Sequence, residues 1–269
     1  MRRWVLALVV LTLTACGGSA TQGGSGASTG PPASSASSTT SDPPPTAESS
    51  VTSPTSTAAT PDPSRYSCVT RAERSRLISV PAKSGAFDAY VAGAGSVGVV
   101  LSHQSDGDLC QFHDYANTLA ARGYRVIAVT NEDFSTEVVT VAAAYLRRKG
   151  TNSTVLIGAS RGGTISIAAA PSVPDVKAVV ALSAPATYFD LDARTTIARL
   201  TCPIFIAVGG GDTQFVSSAR ELRSAAKKSK RVEYVEVPGD DRHGVGFITG
   251  TPTVGGPLTV FLLTYAPAG

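Results

Sequence analysis

The chain has 269 residues, a formal net charge of +3, and 42% hydrophobic against 16% charged residues. That charge is too small to point to nucleic acid, and no Lys/Arg stripe with interleaved aromatics supports such a partner. Large apolar side chains are nearly missing between Gly17 and Ser64, so the part able to bury a core is about 200 residues long.

The first sixteen residues read as a processing signal. Arg2 and Arg3 form a basic start, and Trp4 to Leu13 is an apolar run. A membrane-spanning helix needs about 20 apolar residues, so the run is too short to span. It ends in Leu13-Thr14-Ala15-Cys16, followed by Gly17. This resembles the lipobox of bacterial lipoproteins. The resemblance implies export, a lipid on Cys16, and a membrane partner reached through it on the outer face of the cell membrane. Residues 17–64 are mostly Ser, Thr, Gly, Pro and Ala. Such a segment cannot bury enough surface to offset its ordering entropy, so it is expected to be a disordered tether. Residues 65–269 are the expected folded domain.

From Tyr66 onward, short apolar runs alternate with helical patterns. The predicted strands are Arg76–Val80, Phe87–Ala92, Val97–His103, Arg125–Thr130, Val155–Ala159, Val176–Ser183, Pro203–Val208 and Val232–Val237. Several are continuous Val/Ile/Ala/Leu runs, as central parallel strands require. The predicted helices are Gln111–Arg122, Thr136–Lys149, Arg161–Ala170, Thr213–Lys228 and a last one near Pro257–Tyr265. Gly123 and Gly150 read as C-cap residues. Lys227, Lys228, Lys230 and Arg231 read as the solvated end of a helix. Gly93-Ala94-Gly95 reads as a hairpin turn between two strands, so no phosphate-binding loop is expected there. The first strands come without an intervening helix and strict alternation follows. The fold class is therefore α/β: a mostly parallel, doubly wound sheet of about eight strands with an antiparallel edge.

The chemistry centres on Gly158-Ala159-Ser160-Arg161-Gly162-Gly163, between the strand Val155-Leu156-Ile157 and a helix. A G-x-S-x-G sequence in strand–turn–helix context is a nucleophile elbow. Its glycines let the turn tighten without side-chain clashes, and the following helix N-terminus favours negative charge. A serine needs a base and an orienting acid. Downstream of Ser160 the sequence holds one histidine, His243, in the loop Pro238–Gly244 after the last strand. Asp212, after Gly209-Gly210-Gly211, is the expected acid. Asp240 and Asp241 read as surface charges, and Asp190 as the N-cap of a helix. Two backbone N–H groups should form the oxyanion hole, one from Arg161 and one from Gln104. His103 is expected to orient its loop, and His113 to be a surface or packing residue. None of the three histidines stands in metal-ligand spacing, so no metal site is expected. If Cys16 carries lipid, three cysteines remain. Cys68–Cys110 is the favoured disulfide, because Cys202 opens a buried strand where a thiol packs as a small apolar group.

With these residues in view, the chain resembles the α/β-hydrolase superfamily. More narrowly it is similar to dienelactone-hydrolase-like exported lipoproteins of actinobacterial type. The segments Val99–Gln104, Asp108–Gln111, Leu119–Val126, Gly158–Gly163, Leu182–Pro185, Pro203–Asp212 and Pro238–Gly244 carry the likeness. It implies cofactor-free hydrolysis of a small ester or thioester through an acyl-enzyme on Ser160. An acyltransferase of the same fold and a non-catalytic binding lipoprotein are the alternatives. Two features depart from the pattern. The loop Asn131–Ser135 is short, and Ala184 to Thr201 leaves no room for a helical lid, so an open site is expected. The Arg161 side chain should either favour an anionic acyl group or form a salt bridge.

Overall fold

A computed structural model describes residues 60–249 and 252–269. The lipobox, Cys16 and most of the tether expected at 17–64 lie outside the described residues.

Among the described residues ten strands form: β1 (Leu77–Val80), β2 (Phe87–Ala92), β3 (Val97–Ser102), β4 (Arg125–Val129), β5 (Ser153–Ala159), β6 (Val176–Leu182), β7 (Thr187–Tyr188), β8 (Leu191–Asp192), β9 (Ile204–Gly209) and β10 (Val232–Val237). Six helices accompany them: α1 (His113–Ala121), α2 (Thr136–Arg148), α3 (Arg161–Ala169), α4 (Ala193–Ile197), α5 (Thr213–Ala225) and α6 (Pro252–Tyr265). Eight strands make one sheet in the order β1-β2-β4-β3-β5-β6-β9-β10, and β7–β8 form a separate hairpin. β2 runs antiparallel to both neighbours; the pairings from β4 through β3, β5, β6 and β9 to β10 are parallel. The sheet and helices are those of the α/β-hydrolase fold.

The continuous apolar strands lie where both faces are covered. Every residue of β3, β5 and β9 is buried. Val99, Leu101, Val155 and Ile157 share a core with Leu119 of α1 and Leu258 of α6. Val100, Leu156 and Val179 share the opposite core with Val139 of α2 and Ile165 of α3. An alternation invisible in the composition thus divides each strand between two cores. The chain runs from β3 outward to β4, then crosses back past β3 to β5. The strand order therefore reverses beside β3 and β5, and a doubly wound sheet opens its crevice at the carboxyl ends of such strands.

Several boundaries differ from the sequence reading. Gly93–Gly95 is not a hairpin turn, because β4 lies between β2 and β3. The glycines are needed for close approach instead: a Cβ on Gly93 or Gly95 would run into the backbone at Gly123–Tyr124. Asp190 does not cap a helix; it sits in the β7–β8 turn, and Asp192 caps α4 by accepting from Thr195 N at 2.8 Å. That hairpin fills the connection between β6 and α4. α5 ends at Ala225, so Lys227, Lys228, Lys230 and Arg231 lie in the connection to β10, not on a helix end. α6 begins five residues before Pro257 and carries that proline inside it. Pro257 falls in the second turn, close enough to the start that few backbone bonds are lost. Cys68 and Cys110 are joined as a disulfide, and Cys202 is buried.

Candidate active site

The site is built where β3, β5, β6 and β9 end. β5 delivers Ser160 at φ 50° and ψ −126°, a left-handed conformation that a non-glycine residue adopts only under constraint. The constraint is visible on both sides. Ser160 N donates to Leu182 O at 2.7 Å, and its own carbonyl accepts from Gly163 N at 2.8 Å. Gly158 packs on the backbone of Gly162 and Gly163, and Gly162 packs on the carbonyl oxygens of Ser102 and His103. A side chain at Gly162 would therefore push the elbow away from the β3 loop. Ser160 is 5% exposed.

The glycines after β9 serve a second close approach. Gly210 N donates to Val237 O and Gly211 N to Asp240 O, both at 2.8 Å, so this turn lies against the loop that carries His243. Asp212 follows as the N-cap of α5, yet its side chain caps nothing. Its Oδ2 is 2.7 Å from His243 Nδ1. Both groups are largely shielded, and the ring of Phe215 lies 4.3 Å from that of His243. With a carboxylate on Nδ1, the neutral ring carries its proton there and leaves Nε2 as the acceptor.

The histidine loop is tied down residue by residue. Gly244 N donates to Ser183 Oγ at 3.2 Å, and Val245 N donates to Gln104 Oε1 at 3.1 Å. A Cβ on Gly244 would stand 3.2 Å from Cβ of Ala159, so the neighbours of His243 and Ser160 are in contact. Asp240 is occupied by the Arg242 side chain, which holds its carboxyl below the usual range.

His103 lies under the adjacent loop. Its Nε2 accepts from Asn131 N at 2.9 Å, and its Nδ1–H donates to Gln104 O at 2.7 Å. Burial pushes its pKa down, so the ring is neutral and holds two loops together. His113 is also buried, beside Glu73 and Tyr90 on the far side of the sheet edge.

The two expected oxyanion donors stand differently. Arg161 is the first residue of α3, where an N–H has no intrahelical partner. Gln104 N donates to Gln111 Oε1 at 3.0 Å, so this donor is already engaged. The sequence reading missed Gln111, Ser183 and Phe215, and it missed the Gln104 side chain. None of them belongs to a motif; only the folded loops bring them to the site.

Beside the elbow, a cleft of about 380 Å³ is lined by Asp106, Gly107, Asp108, Glu132, Phe134 and Arg161. The Arg161 guanidinium lies over the Phe134 ring. Among the described residues no group of three or more His, Cys, Asp or Glu side chains is placed to hold a metal ion.

No family model and no curated protein matches the chain in sequence. Solved structures do share its fold. An esterase of Pyrococcus furiosus superposes with a TM-score of 0.61 at 15% identity, covering 70% of this chain and 90% of its own. A dienelactone hydrolase of Anabaena variabilis gives 0.55 at 17% identity, covering 70% and 96%. The esterase domain of a Rhodothermus marinus protein gives 0.53 at 16% identity, covering 70% and 98%. These likenesses establish the α/β-hydrolase fold of the chain.

Proposed function

We propose that the protein is a serine hydrolase that cleaves a carboxylic ester or thioester through an acyl-enzyme on Ser160. The observation that carries this reading is the 2.7 Å contact of Asp212 with His243, on a loop packed against the strained elbow of Ser160. Fold alone would not carry it, since one fold hosts many activities. The names of the structural neighbours, two esterases and a dienelactone hydrolase, agree with it.

In the proposed mechanism His243 Nε2 takes the hydroxyl proton as Ser160 Oγ attacks the acyl carbon. Asp212 keeps the ring in the useful tautomer and stabilises the imidazolium. The oxyanion is met by the N–H of Arg161 and by that of Gln104, once Gln111 has released it. His243 then gives the proton to the leaving group, and a water activated by the same ring frees the acid. The β7–β8 hairpin and α4 are too short to form a helical lid, which supports an open site.

We further propose that the protein is exported and held at the outer face of the cell membrane by lipid on Cys16. The lipobox-like Leu13–Cys16 supports this, as does the Cys68–Cys110 disulfide, a bond that persists in oxidising compartments. The hydrolase reading is tested by an ester panel of rising acyl length with the Ser160→Ala, His243→Ala and Asp212→Asn variants. Turnover by the parent and its loss in all three is expected. Turnover that survives in Ser160→Ala would refute the assignment.

A further inference from the structure

The turn of the β7–β8 hairpin holds a side chain that folding does not favour there. Tyr188 pairs with Leu191, so Phe189 and Asp190 form a two-residue turn. Phe189 stands at φ 48°, and Asp190 is not left-handed. A first turn position with φ above zero is the place for glycine in such a hairpin. A bulky side chain there strains the backbone. Packing returns little of that cost. Phe189 is 87% exposed, more than any other large apolar residue among the described ones. Its ring meets Tyr188 edge-on, with centroids 4.7 Å apart.

The row continues inward. Tyr188 meets Phe134 edge-on at 5.9 Å. Phe134 is left-handed too, at φ 53°, and its ring carries the guanidinium of Arg161, the residue after Ser160. Arg161 forms no salt bridge among the described residues, contrary to one expectation from sequence. Phe134 also lines the cleft beside the elbow. Three aromatic rings thus run from the neighbour of the proposed nucleophile to the tip of the hairpin, two of them on strained backbone. Strain of this kind gathers at ligand clamps. Glycine at 189 would serve both folding and solubility better. The exposed ring gains when an apolar group covers it, because the gain grows with the apolar area removed from water.

We infer that Phe134, Tyr188 and Phe189 are a specificity surface, and that the substrate is an ester with an extended apolar part that lies along this row while Ser160 attacks the ester carbonyl. This rests on the serine-hydrolase reading. The apolar part can stand on the acyl group or on the leaving alcohol; both offer the row the same surface.

Two ester series on the full-length chain separate these sources, each kept below its micellar concentration. The 4-nitrophenyl esters from acetate to decanoate vary the acyl side. The acetates of ethanol and decanol, followed by acetate release, vary the alcohol side. In one series kcat/KM is expected to rise with length, by up to about fourfold per methylene in contact with the row. Phe189→Gly should lower the long-to-short ratio about tenfold, beyond any loss common to both esters. The same variant should melt no lower than the parent, since glycine suits φ 48°; a damaged fold would melt lower. Val260→Ser, which removes an exposed apolar side chain of α6, should leave the ratio where it was. A ratio near one in both series, a ratio unmoved in Phe189→Gly, or an equal fall in Val260→Ser overturns the inference and leaves the hydrolase intact. A Phe189→Gly chain that keeps its ratio but no longer sediments with phosphatidylglycerol vesicles also overturns it, making Phe189 a membrane contact. If no ester is turned over and a fluorophosphonate leaves Ser160 unlabelled, the hydrolase reading fails and takes this inference with it.

Discussion

The side-chain oxygen of Gln104 accepts the backbone N–H of Val245 at 3.1 Å, across 141 positions of sequence. One residue thereby joins the loop after β3 to the loop that carries His243. Removing the amide should loosen the histidine loop without touching Asp212 or Ser160. Gln104→Leu is expected to lower kcat about tenfold, with KM little changed, and to cost about 1 kcal/mol of stability. Steady-state kinetics with a denaturant titration checks both numbers.

How far this arrangement is legible in sequence depends on the distance over which each residue acts. Ser160 and its glycines are local: strand, turn and helix follow one another, and the elbow can be read without knowing the rest. Asp212 and His243 are legible because topology returns β9 and β10 to the same end of the sheet. Gln104 to Val245, Gln111 to Gln104 and Ser183 to Gly244 are not. Each joins loops whose relative height depends on helix packing, which no local pattern encodes. The missed β7–β8 hairpin has the same origin, since two strands of two residues carry no periodicity. The order β2-β4-β3 was hidden because alternation shows which residues are buried but not which strands are neighbours.

The Gln111 side chain occupies the N–H that the proposed oxyanion would use. Gln111→Leu leaves that donor free and should raise kcat/KM a few-fold. Gln111→Glu offers it a charged acceptor and should lower kcat/KM by about tenfold. Equal activity of the two variants would remove Gln104 N–H from the mechanism.

The disulfide closes a loop of sequence separation 42. Chain-entropy reasoning gives about 4 kcal/mol for a loop of that size. The Cys68→Ala, Cys110→Ala double variant should unfold at correspondingly lower denaturant, and a reducing agent should reproduce the shift in the parent alone.

Among the groups through which acid acts on stability, His103 and Glu73 work in separate windows. Burial lowers the pKa of His103, so the unfolded chain binds its proton first. Stability is then full above about pH 6.5 and falls as pH drops below it. Glu73 is held down to about 2 by hydrogen bonds from Thr70 and Tyr90. Its contribution is full above the usual carboxylate range and is lost as pH falls from there toward 2. Glu73→Gln should lessen the slope of the lower window and leave the upper one. Thermal melts across pH 2 to 8 would resolve the two, and an unchanged lower slope in Glu73→Gln would count against the assignment.

Gly162 has no room for a side chain between the elbow and the carbonyls of Ser102 and His103. Gly162→Ala should cost several kcal/mol, on the order of other overpacked or strained substitutions. Any folded fraction should have lost its activity, because the elbow and the β3 loop are forced apart. A thermal melt and an ester assay on the same sample test both halves.

The central claim is that Ser160 is an activated nucleophile. Labelling of the full-length chain with a fluorophosphonate, followed by peptide mass spectrometry, tests it most directly. The account predicts a single adduct on Ser160, none in Ser160→Ala, and much slower labelling in His243→Ala. A folded parent that stays unlabelled, or an adduct on another residue, would contradict it.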